Sequence, residues 1–201
     1  MSAARSLTRS QVKQPIAPKE FRRVCGLFTT GVTVITAGTE GGEAEGTTVN
    51  SFTSVSLDPS LVLFCLHKES RMHAVIGRHG TFAVNFLAGS QQELARAFAS
   101  RRPQGFHGVP HHFAQDGPPV LSEALAHLTC STVAVHSGGD HDIVVGEVLE
   151  LAAPGSEQDP LIFFDGTLGP LESTGGRFGQ VVAPGPGPAP QGPAATPARA
   201  G

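Results

Sequence analysis

Apolar positions along this chain recur mainly at strand-like spacing, interrupted by three short stretches at helical spacing. The first of these is PKEFRRVCGLF (18–28), where Phe21, Val24, Cys25 and Phe28 share a face. Pro18 suits the first turn of that helix, and Gly31 is expected to end it. VTVITAG (32–38) is β-branched and strand-like, and the glycine-rich TEGGEAEG turns it back into TTVNSF (47–52) as a hairpin. LVLFCL (61–66), apolar throughout, reads as a buried strand. Ser70 then precedes RMHAVIGR, in which Met72, Val75 and Ile76 lie on one helical face. TFAVNFL (81–87) is another strand. Ser90 to Glu93 spell S-x-x-E, a capping box for a helix bearing Leu94, Ala97 and Phe98. Beyond a His- and Gly-rich loop (103–119), HLTCSTVAVH and DIVVGEVLEL form long strands joined at SGGD, and PLIFF (160–164) is the last strand.

The pattern therefore predicts about seven strands and three short helices, with neighbouring strands linked mostly by turns. Regular βαβ alternation is missing, so an antiparallel β-barrel with peripheral helices fits better than a doubly wound sheet. A chain of 201 residues can bury one ordinary core. Residues 1–16 read as a flexible basic arm, 17–172 as the folded domain, and 173–201 as a disordered Pro/Gly/Ala-rich tail. The formal charge of −3 argues against nucleic acid as a partner. Three cysteines without C-x-x-C spacing, no apolar run of membrane-spanning length and no secretory h-region make a cytoplasmic protein the expectation, with no membrane partner.

Much familiar chemistry is missing from the sequence. No G-x-G-x-x-G follows a strand, and no phosphate-binding P-loop, H-E-x-x-H or G-x-S-x-G motif occurs. His107, His111 and His112 sit in a loop without a cysteine ligand nearby, so no metal site is expected. Three features remain. In TTVNSFTSVSLDP, short hydroxyls accompany what reads as a strand running into an extended loop. That arrangement suits the edge of a flat heteroaromatic ring, and equally a Ser/Thr-rich edge strand before a turn. Ser70 and Arg71 open a helix, where orphan N–H groups and a guanidinium favour phosphate; a plain Ser cap beside a surface Arg is the alternative. In HSGGDHDIVVGEV, Asp140 stands beside His141 and could fix its tautomer, or the pair could be solvated hairpin residues.

Taken together, FTTGVTVIT, GTTVNSFTSVSLDPSLVLFCL, FAVNFL with ELARAFAS, and GDHDIVVGEV followed by PLIFF resemble the flavin reductase-like domain family. The resemblance covers about residues 17–172 and implies an FMN-binding split barrel. It implies an NAD(P)H:flavin oxidoreductase that supplies reduced FMN or FAD to a partner monooxygenase, with hydride passing from C4 of NADH or NADPH to flavin N5. Thr48, Asn50, Ser51, Ser54, Val55 and Ser56 match the main flavin-contacting run, and Ser70 and Arg71 the phosphate end. Phe106 corresponds to a loop aromatic near the ring. His141, assisted by Asp140, matches the histidine implicated in nicotinamide binding, with Thr30 and Gly31 near the same cleft. A homodimer is implied, with the flavin held near the subunit interface. Ser60 stands where a second proline is common, which should loosen that turn. FFDGTLGPL lacks the basic or aromatic residues often found after the last strand, a departure that leaves open a flavin-binding or flavin-sensing protein without turnover.

Overall fold

Three helices and twelve strands form in the computed structural model, which describes residues 15–100, 105–115, 117–155 and 157–171. The tail from 173, most of the basic arm, and Arg101 and Arg102 lie outside the described residues. In chain order the elements are α1 (Pro18–Gly26), β1 (Thr30–Gly31), β2 (Thr33–Gly38), β3 (Ala44–Val49), β4 (Thr53–Leu57) and β5 (Ser60–His67). They continue with α2 (Met72–His79), β6 (Thr81–Phe86), α3 (Gln92–Ala99), β7 (His111–Phe113) and β8 (Pro119–Leu121). The last four are β9 (Ala126–Gly138), β10 (His141–Ala152), β11 (Leu161–Phe164) and β12 (Thr167–Pro170).

Seven strands form one antiparallel sheet in the order β3-β2-β6-β9-β10-β5-β4. Its two outermost strands are the two halves of one segment, since β3 pairs with β2 and, after Asn50–Phe52, β4 pairs with β5. One continuous stretch of chain thus bridges both edges and closes a split barrel, which removes much of the exposed edge an open sheet would carry. Ser51 completes the seam. One rung beyond the Thr53–Leu63 pair, its Oγ accepts the Cys65 N–H at 2.9 Å and lies 3.4 Å from the Cys65 carbonyl, standing in for a backbone rung.

The barrel interior holds Ile35, Phe64, Leu66, Phe82, Val84 and Val144, capped by Met72, Val75 and Ile76 of α2. A second cluster joins Val32, Val34, Leu121 and Leu161 to Ala95 and Phe98 of α3. Cys130 lies in the first cluster, where burial pushes its thiol up to about 12, so it packs as a small hydrophobe. Gly146 leaves the space filled by Phe82, whose ring would stand 2.4 Å from an added Cβ.

Several local expectations change. The first helix ends at Gly26, and Gly31 lies instead in β1, paired with Ile162. None of the residues of α1 is buried, so the shared apolar face is real but uncovered among the described residues. The S-x-x-E box does not close: Gln91 is the N-cap, its side chain accepts the Ala88 N–H at 2.9 Å, and Glu93 pairs with Arg96. A glutamine can reach back to the chain entering the helix, while a serine one position earlier lies in the preceding turn. The stretch after Phe52 is a strand rather than a loop, and the 103–119 loop contributes β7 and the start of β8, which pair as a hairpin. Ser60 helps to hold its own turn. Its hydroxyl donates to the Leu57 carbonyl at 3.2 Å while Ser56 Oγ accepts the Asp58 N–H at 3.2 Å, so two hydroxyls brace it.

Candidate active site

β3 carries the start of the hydroxyl-rich run, Thr47 and Thr48, between helices α2 and α3, and successive cavities follow it. The first, of about 420 Å³, is lined by Glu45, Gly46 and Thr47, by His67, by Ser70 and Arg71 at the start of α2, and by Phe98 of α3. Further along, a cavity of about 430 Å³ is bounded by Thr48 to Asn50, Ala95, Phe163 and the β11–β12 turn. Past Asn50 a third, mostly apolar cavity of about 500 Å³ is lined by Thr30, Gly31, Phe52, Phe86 and Gln158. Asn50 borders both of these and also the space beneath α1, so it stands at a three-way junction.

The hydroxyls divide into two groups. Thr48 donates to the Ala95 carbonyl at 2.7 Å and so fixes α3 against β3; Ser51 and Ser56 are spent on the seam and the turn. Asn50 and Ser54, in contrast, make no side-chain hydrogen bond among the described residues. Thr30 Oγ1 is buried without a partner at the wall of the third cavity. Among the described residues β4 pairs only with β5, leaving its other edge open, with Ser54 and Val55 exposed and Ser56 half-buried. Thr30 Oγ1 is thus a buried polar atom left for a ligand to satisfy, and Asn50, exposed on the wall of the same cavity, offers a polar group that a planar ligand would take from water.

At the opposite end, Ser70 Oγ accepts the Met72 N–H at 3.3 Å and Arg71 sits at the N-cap with its guanidinium over the cavity. The dipole of α2 and the guanidinium both favour an anion here. Asp140 lies in the β9–β10 turn and His141 opens β10, which sets it opposite His67 in register. Their rings meet edge to face at 5.0 Å, so His141 borders the anion cavity through His67. Asp140 Oδ1 lies 2.8 Å from His141 Nδ1, and that hydrogen bond holds the Asp140 carboxyl below its ordinary range. The shared proton on Nδ1 leaves Nε2 as the free nitrogen.

Phe106 lines none of these three cavities. Its ring packs on Phe98 and His111 at 5.4 and 4.9 Å, and Phe98 lines the first cavity. Residues that the sequence did not single out complete the site: Glu45 and His67 at the anion cavity, and Phe163 at the second. For His67 no local signal exists, because only the β5–β10 register brings it to His141. For Phe163 a signal existed. Asp165–Gly166 in FFDGTL spells a tight hairpin turn, with φ of 46° and 79°, which folds Phe163 and Leu168 into one wall.

Residues 25–172 match the family model described as flavin reductase like domain. The chain belongs to the flavin reductase-like domain family. A relative in this family, the flavin-dependent monooxygenase reductase subunit HsaB of Rhodococcus jostii, is 43% identical over 159 residues, covering 79% of this chain and 80% of its own. The FMN reductase (NADH) SmoA of Agrobacterium fabrum is 42% identical over 151 residues, covering 75% and 84%. Among solved flavin reductase-like structures, the NADH:FAD oxidoreductase SgcE6 of Streptomyces globisporus, in complex with NAD and FAD fragments, superposes with a TM-score of 0.74 at 37% identity. That superposition covers 81% of this chain and 99% of the other.

Proposed function

We propose that this chain is an NAD(P)H:flavin oxidoreductase that passes reduced FMN or FAD to a partner monooxygenase. The observation that carries this reading is the cavity series along β3, with a cation at one end and the unpaired Asn50 at the other. The residues present fit a flavin. Arg71 and Ser70 hold its phosphate, the wall of Thr48 to Asn50 flanks its tail, and Asn50, Ser54 and the free β4 edge meet its polar rim.

When bound, flavin and nicotinamide supply the redox chemistry between them, a hydride passing from nicotinamide C4 to flavin N5. The protein's part is to orient and to exclude water. Phe52, Phe86 and Leu87 give the third cavity an apolar wall, and Thr30 Oγ1 offers one buried polar contact there. His141, held by Asp140, presents Nε2 as a hydrogen-bonding group for nicotinamide. Because Thr48, Ser51 and Ser56 are committed to the scaffold, few side chains remain to grip a flavin, which suits a cofactor that binds and leaves as a substrate.

Purified protein given NADH or NADPH is expected to oxidise it at a rate that depends on added FMN or FAD. No flavin-dependent turnover with either nicotinamide excludes the reading. His141→Ala is expected to raise the KM for nicotinamide by roughly tenfold, the worth of one lost hydrogen bond to a buried partner, with flavin KM little changed.

The functional unit is a homodimer. Phe21, Val24 and Phe28 lie uncovered on and just after α1, with Phe28 76% exposed. Register shifts in β4, β9 and β10 turn Val55, Val133 and Leu149 outward as well. Apolar area of this extent is rarely left to water. Sedimentation at the mass of a single chain, at micromolar concentration, rejects the dimer. No helix among the described residues is long and apolar enough to cross a membrane, and a cytoplasmic location accords with the three unpaired cysteines.

A further inference from the structure

The anion cavity contains a group that opposes its own cation. Glu45 Oε1 and Oε2 lie 3.2 and 3.3 Å from the same guanidinium nitrogen of Arg71. The glutamate side chain is only 14% exposed while that of Arg71 is 63% exposed, so the carboxylate is anchored and the guanidinium is the movable partner. Glu69 also lines this cavity, and its backbone N–H is received by His67 Nδ1 at 3.1 Å. Glu45 therefore holds the guanidinium, and Glu69 adds a second acidic residue to the wall, in a space that the flavin reading fills with phosphate. An entering phosphate must draw Arg71 away from Glu45 and then sit beside a carboxylate that water screens poorly.

We propose that Glu45 is a built-in competitor for the cofactor's phosphate, holding Arg71 when the site is empty and recapturing it as flavin leaves. The proposal rests on the flavin reductase reading above and adds to it a residue that sets cofactor residence. A weak grip on phosphate serves an enzyme whose reduced product must reach a second protein. The pair is not needed as the sole staple between α2 and the β2–β3 hairpin, because Arg78 and Glu43 form a second ion pair between the same elements, outside the cavity.

The test compares wild type, Glu45→Gln and Glu43→Gln for equilibrium binding of FMN, FAD and riboflavin, with stopped-flow release of FMN. Glu45→Gln is expected to tighten FMN about fivefold, the scale of one partly exposed ion pair, and to slow its release in proportion. Riboflavin, which has no phosphate, is expected to bind unchanged, and Glu43→Gln to behave as wild type. FMN tightening alone assigns the terminal phosphoryl group; tightening of FMN and FAD together assigns the phosphate they share. Unchanged FMN affinity, or an equal gain for riboflavin, overturns the competitor role while leaving the reductase reading intact. Failure of wild type to bind any of the three flavins removes that reading itself.

Discussion

Replacing Arg71 by alanine is expected to raise the KM for FMN by about 10- to 100-fold, the range of one lost hydrogen bond to a charged group. Riboflavin-dependent NADH oxidation should change little. The loss has two sources. The guanidinium over the first cavity disappears, and Glu45, 14% exposed, is left without its partner and faces the phosphate directly. Lysine at the same position should recover only part of the loss, because a point charge cannot make the paired hydrogen bonds to a phosphate that a planar fork makes. Steady-state kinetics with the two flavins measure both effects. An equal fall in activity with FMN and riboflavin would show that Arg71 supports the scaffold rather than the phosphate.

The largest expected effect on stability lies away from the site, at Asn85. This residue is fully buried, and its side chain joins three elements. Nδ2 donates to the Val34 carbonyl at 3.0 Å and to Thr36 Oγ1 at 3.2 Å, while Oδ1 accepts the Leu121 N–H at 2.8 Å. Asn85→Leu keeps the branched shape and the number of heavy atoms but strands a donor of β8 and loosens acceptors of β2 in an apolar surrounding. Each unsatisfied group costs about 1–3 kcal/mol, so a loss of about 3 kcal/mol is expected. Urea unfolding should show a lower midpoint at unchanged slope. A midpoint equal to wild type would mean that water reaches these groups and that the buried network contributes little.

Asn85 also shows where reading the chain falls short. In FAVNFL it appears as one polar position in an apolar strand, and nothing within that stretch says that it pins β8, some thirty-six positions further on, to the barrel. The hydroxyl run was legible as a polar segment with a purpose, yet its division was not. Thr48 braces α3 and Ser51 closes the seam, while Thr47, Asn50 and Ser54 make no side-chain hydrogen bond among the described residues. Both kinds of role demand the same small polar residues, so residue type cannot separate them.

What the sequence by itself determined is the inventory of local elements: period-two runs for the main strands, three helical stretches, and segments whose combined spacing marks the flavin reductase-like family. These follow from side-chain geometry within a few residues, and α1, α2 and α3 formed where that geometry predicts. Tertiary structure alone decided which residues meet. Closure of the barrel by residues 44–57, the pairing of β5 with β10 that sets His67 against His141, and the approach of Glu45 to Arg71 each join positions far apart in the chain. Such contacts depend on strand register and on the packing of helices over β3, which no local pattern specifies.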